Sequence, residues 1–136
     1  MSTHLKDRVE RIEQVIAKLK EESAKDKPLV VEGKKDLQAL RDLGFIGPIL
    51  KVKTGGKSFL EATAEIEELG AGEVILLLDF DRRGKEGTQR LQQSLERTKI
   101  NVNSQFWREL HGLVGREIDC IESLPSYLST LQQKTA

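Results

Sequence analysis

At 136 residues, with 38% hydrophobic and 32% charged residues, the chain has the size and composition of one globular domain and leaves no room for a second large lobe. Lys plus Arg and Asp plus Glu stand at 22 each, so bulk charge supplies no general attraction to nucleic acid, and any such affinity has to be local. No apolar run approaches the ~20 residues of a membrane helix and no apolar leader follows Met1, so a soluble, cytoplasmic protein without a membrane partner is expected; the single cysteine, Cys120, excludes an internal disulfide and a multi-cysteine zinc ribbon.

The chain opens with an amphipathic helix. Leu5, Val9, Ile12, Val15, Ile16 and Leu19 recur at spacings of three and four, with charges of both signs between them. About two heptads are too few for a coiled coil, so this stripe is expected to pack on the core, with a homodimer or a docking contact through the helix as the alternative. Glu21 to Lys27 reads as a charged hinge that ends at Pro28. Strand and helix patterns then alternate three times: Leu29 to Val31, then Asp36 to Leu43; Ile49 to Val52, then Ser58 to Leu69; Val74 to Leu78, then Gly87 to Arg97. Crossovers of at least ten residues require parallel strands, which predicts a doubly wound α/β fold with a mainly parallel sheet of about four strands, the fourth at Ile100 to Val102. Two further helices are expected, at Phe106 to Leu113 and Leu124 to Leu131, the latter with Pro125 in its first turn.

In such sheets ligands bind outside the carboxyl ends of the strands, so the polar residues there are the candidates. Glu32 follows the first strand; Asp79 and Asp81, two apart on an extended backbone, end the third and point to one side. Mutual repulsion among three such carboxylates is relieved by a hard divalent cation, which points to Mg²⁺, one or two ions, with Mn²⁺ able to substitute. Lys34, Lys35, Lys53, Lys57, Arg82, Arg83 and Lys85 surround them, a basic rim suited to the phosphates of RNA or DNA. The competing explanation for Glu32 or Asp81 taken singly is a helix N-cap. Gly55-Gly56-Lys57-Ser58 fails as a Walker A loop, because the first glycine of that motif would fall on Lys51. His4, His111 and Tyr127 are assigned structural or surface roles. A small-nucleotide phosphotransferase is ranked last, since 4% aromatic residues leave little from which to line a base-sized pocket.

Val30-Val31-Glu32-Gly33-Lys34-Lys35-Asp36 followed by Leu78-Asp79-Phe80-Asp81-Arg82-Arg83-Gly84 resembles the Toprim domain, the glutamate and D-x-D module of bacterial-type primases, topoisomerases, OLD-type nucleases and the 5S rRNA maturase. The match runs from Pro28 to about Leu110. With Phe106-Trp107-Arg108 and Leu124-Pro125-Ser126-Tyr127-Leu128, the whole chain is most similar to the small stand-alone archaeal Toprim proteins of uncharacterised function. The resemblance implies a helix and hinge over 1–27, a Toprim domain with a C-terminal helical extension over 28–136, Glu32 as metal ligand or general acid/base, Asp79 and Asp81 as Mg²⁺ ligands, and Arg82 as a phosphate contact. It implies phosphoryl transfer at a nucleic-acid backbone, chemistry that rests on positioning and charge neutralisation rather than on a reactive side chain. Size and the lack of a strand-passing body argue against a topoisomerase, the lone cysteine against a zinc-bearing primase, and the failed Walker motif against an OLD-type nuclease. A small Mg²⁺-dependent nuclease or RNA-processing factor is the leading expectation. The alternative is a non-catalytic, metal-dependent nucleic-acid-binding or complex-docking module. Asp36, Glu117 and Asp119 are unranked candidates for a second metal.

Overall fold

A computed structural model describes residues 3–52 and 59–136. The elements run in the order α1 (Thr3–Ser23), β1 (Leu29–Val31), α2 (Lys34–Asp42), β2 (Ile49–Lys51), α3 (Phe59–Glu68), β3 (Glu73–Leu76), α4 (Arg82–Leu95), β4 (Asn101–Asn103), α5 (Gln105–Val114) and α6 (Leu124–Thr135), with a short 3-10 turn over Ile121–Ser123 leading into α6. The sheet is parallel, in the order β2-β1-β3-β4, with Val30 opposite both Leu50 and Leu76, and Val74 opposite Val102.

Alternation along the strands divides the apolar residues between two layers. Leu29, Val31, Ile75 and Leu77 face one core, which α1, α5 and α6 cover with residues such as Ile12, Leu110 and Leu128. Val30, Val74, Leu76 and Leu78 face the other, where Ala62 and Ile66 of α3 and Leu91 and Leu95 of α4 close over them. Helices therefore pack on both faces, as a doubly wound sheet requires. Ile12 and Leu19 are fully buried and Val9 and Ile16 nearly so, so the α1 stripe packs inside the chain as expected, and the face that the alternative gave to a homodimer or docking contact is the one packed on α5 and α6. Arg8 ties the helix in place by donating to the Leu113 carbonyl at 2.6 and 3.0 Å. No helix among the described residues is long and apolar enough to cross a membrane.

The chain steps from β1 outward to β2 and then returns to the other side of β1 for β3. That reversal is a topological switch point, and it leaves a crevice at the carboxyl ends of β1 and β3. Glu32 leaves the first of these strands. Asp79 lies three residues beyond the second, on a backbone that Leu77 still pairs to Val30 through a 2.8 Å hydrogen bond.

Candidate functional site

Two loops and one distant segment build the crevice. The β1–α2 loop is closed by Asp36, whose Oδ2 accepts from the Gly33 N–H at 3.1 Å and so caps the start of α2. Its Oδ1 accepts the backbone N–H of Glu122 at 3.0 Å, bringing a segment 86 residues away against the same loop. The β3–α4 loop is held from three sides. Asp81 is the N-cap of α4, accepting from Gly84 N–H at 2.8 Å. The Trp107 indole N–H donates to the carbonyls of Leu78 at 2.9 Å and Asp79 at 3.2 Å. The Phe80 N–H donates to the Asp119 carbonyl at 2.7 Å. Gly84 is required by contact, because a Cβ there would collide with the Asp79 backbone carbonyl.

The resulting cleft, about 360 Å³, is lined by the carboxylates of Glu32, Asp36, Asp79, Asp81 and Glu122, with Lys34, Lys35 and Arg83 at its edge. Asp79 is its electrostatic centre. Burial first, and then the negative charges of Asp36, Glu32, Asp81 and Glu122, push its carboxyl up to about 7, and its Oδ1 is buried without a hydrogen-bond partner. Burial likewise raises Asp36, against the lowering effect of its two backbone hydrogen bonds.

These positions bear unevenly on the sequence expectations. Glu32, Asp79 and Asp81 share one cleft, but among the described residues no three acidic, cysteine or histidine side chains stand ready-made as a metal-binding group. The donor set fits Mg²⁺ only in its open mode, held by one or two carboxylates and otherwise by water, with the orphaned Asp79 oxygen as the natural ligand. Asp81 spends one oxygen as a helix cap, the structural role weighed for it in the sequence. Of the expected phosphate contacts, Lys34, Lys35 and Arg83 line the cleft, and Lys35 lies 4.0 Å from Glu122. Arg82 lies outside the lining and pairs with Glu86 at 3.2 Å. Lys57, Lys53 and the Gly55-Gly56 loop fall outside the described residues. Of the three candidates for an additional carboxylate, only Asp36 lines the cleft; Asp119 contributes its backbone carbonyl to the Asp79 loop. Glu122 carries no signal in the sequence, since only the tertiary fold brings the 3-10 turn before α6 to this cleft.

A Toprim domain model matches residues 26–104, which contain both acid-bearing loops and the whole sheet. The chain belongs to the Toprim family. Its relatives include UPF0292 proteins of Methanosarcina acetivorans, 35% identical over 94% of this chain and 87% of the relative, and of Methanocaldococcus jannaschii, 38% identical over 88% and 91%. A solved structure of a putative protein from Aquifex aeolicus is similar to this Toprim chain with a TM-score of 0.65 and 26% identity, covering 82% of this chain and 95% of that one. The family model stops at residue 104, yet Trp107, Asp119 and Glu122 all grip the Toprim loops from beyond it. The C-terminal helical segment is thus part of how this Toprim site is built.

Proposed function

We propose that this protein is a metal-dependent nucleic-acid-binding module, in which Asp79 and the carboxylates around it would hold Mg²⁺ and the ion would supply the charge neutralisation that a backbone phosphate needs there. The observation that carries the proposal is the buried, unpartnered Asp79 oxygen surrounded by four further carboxylates beneath a rim of Lys34, Lys35 and Arg83. A cleft so acidic repels a phosphate unless a cation intervenes, and the bound ion would supply that neutralisation. Lys34, Lys35 and Arg83 then position the neighbouring phosphates as point charges and a planar fork. Glu32 and Asp81 would set the charge that favours the ion, while the Asp36–Glu122 bond and the Asp119 carbonyl on Phe80 fasten the two loops to one segment.

A second reading, phosphodiester cleavage at the same site by a small nuclease or RNA-processing factor, is favoured by one observation. Glu32, the residue to which the sequence resemblance gives a ligand or general acid/base role, lines the same cleft as Asp79, so a carboxylate would stand beside a cation held there.

The test is binding and cleavage of end-labelled single- and double-stranded RNA and DNA, with Mg²⁺, with Mn²⁺ and with EDTA, for wild type and Asp79→Asn. Binding by wild type that falls at least tenfold in EDTA, while Asp79→Asn binds equally with and without metal, supports the module. Metal-dependent cleavage lost in Asp79→Asn establishes the second reading and its substrate. Wild-type binding indifferent to metal, with no cleavage of any substrate, would refute both.

A further inference from the structure

The sequence holds few aromatic residues, but the fold brings Phe80 and Trp107 together with His111. Trp107 and His111, one turn apart on α5, stack at 5.0 Å between ring centroids with only 14° between planes, and the Phe80 ring lies 6.1–6.2 Å from both. Beside this stack, between α4 and α5, opens a second cavity of about 280 Å³, lined by Trp107 and His111 on one side and by Thr88, Gln89 and Gln92 of α4 on the other. Its size is at the lower limit for ligand pockets, which suits a single planar heterocycle rather than a larger molecule.

The polar groups in the wall are fixed. Ser104 donates to the Gln92 carbonyl oxygen at 3.0 Å and accepts from Arg108 at 2.8 Å, so Gln92 presents its amide NH₂ to a ligand. Thr88 donates to the Gly84 carbonyl at 2.7 Å, locking the first turns of α4. Lys85 and Arg108 add positive charge to the lining. The same helix α4 lines the acidic cleft with Arg83 and Gly84 and this cavity with Lys85 and Thr88. Four residues, about 6 Å of helical rise, separate Gly84 from Thr88, a span that one nucleotide bridges.

We propose that this cavity receives an unpaired nucleobase, laid against His111, the half-buried ring that the buried Trp107 backs, and held at its edge by Gln89 and Gln92, from the strand whose phosphate sits in the acidic cleft. The choice of a strand as ligand rests on the function proposed above; the base-sized aromatic cavity does not. Stacking on an aromatic platform tolerates any base, so the site selects single-stranded over paired segments rather than one sequence.

The test uses the full chain and adenosine, which carries no phosphate, followed by NMR through the indole N–H of Trp107, the only tryptophan. Gly112 lines the cavity and a Cβ added there meets nothing within 4 Å, so Gly112→Leu obstructs the site while raising helix propensity. The expected result is a saturable shift of the indole resonance in wild type, independent of Mg²⁺ and weakened about tenfold or more in Gly112→Leu. In parallel, a single-stranded hexanucleotide should bind wild type about tenfold more tightly than the abasic strand of equal length. Absence of a saturable shift, equal binding by Gly112→Leu, or equal affinity for the abasic strand would overturn the proposal. Adenosine binding that persists while no strand shows metal-dependent binding would leave the base site standing and remove the metal-bridged phosphate.

Discussion

Replacing Asp79 by Asn should stabilise this protein at alkaline pH. The carboxyl ionises near 7 in the folded chain and near its ordinary value of 3.8 when unfolded, a gap that for a fully shielded group would correspond to ~4 kcal/mol. Asp79 keeps contact with solvent, and screening reduces this to on the order of 1–2 kcal/mol. The sign follows from proton binding. Between about pH 4 and pH 7 the native state holds a proton that the unfolded state has lost, so this residue makes stability fall as pH rises; above pH 7 the full penalty applies. Asn is isosteric and uncharged, so Asp79→Asn should match wild type at pH 4 and exceed it at pH 8 by that amount. In 136 residues this corresponds to an increase in Tm of about 4–7 °C. Urea or thermal unfolding of both proteins at the two pH values, in EDTA, gives the comparison. Adding Mg²⁺ at pH 8 should narrow the gap by stabilising wild type alone. A variant less stable than wild type at pH 8, or a difference that does not change with pH, would refute the idea that repulsion and burial strain this carboxylate.

Gly84→Ala should cost about 1–3 kcal/mol in unfolding experiments, because its methyl group must displace the Asp79 backbone, and it should abolish metal-dependent binding as well. Trp107→Phe keeps the ring but strands two carbonyls, so a loss of about 1–3 kcal/mol in chemical denaturation is expected. Ile12→Ala, in the fully buried α1 stripe, should cost about 2–5 kcal/mol without changing the oligomeric state by sedimentation; an altered state with unaltered stability would restore the docking role of α1. Lys34→Ala and Lys35→Ala together should lower the slope of log K against log salt for strand binding by up to about 0.7 for each lost single-strand phosphate contact, measured by anisotropy across a salt series.

The sheet was legible because its cause is local. Val30-Val31 and Val74 to Leu78 are runs too apolar for any place but a sheet covered on both faces, and crossover length then dictated parallel pairing. The acid-bearing loops were legible for the same reason: they follow those strands. The start of α4 was not. Sequence periodicity begins at Gly87, whereas the helix begins at Arg82, since Asp81 supplies the cap and Gly84 the close approach that an unpatterned Arg-Arg-Gly-Lys run conceals. Glu122 and the second role of Asp36 depend on a contact across 86 residues, for which neither residue carries a local signal. Composition carried no signal of the aromatic cluster either. Composition counts rings, but packing decides whether they meet, and here Phe80, Trp107 and His111 do.

The hydrogen bonds from Phe80 to Asp119 and from Glu122 to Asp36 mean that a single short segment, residues 119–122, fastens both acid-bearing loops. The gap between Glu32 and Asp79 is thereby adjustable from a place that contains neither. Lengthening or shortening this clasp by one residue would change that gap with every acid left intact. Conversely, transplanting the two acidic motifs into another parallel sheet without the clasp would carry over their charge but not their spacing.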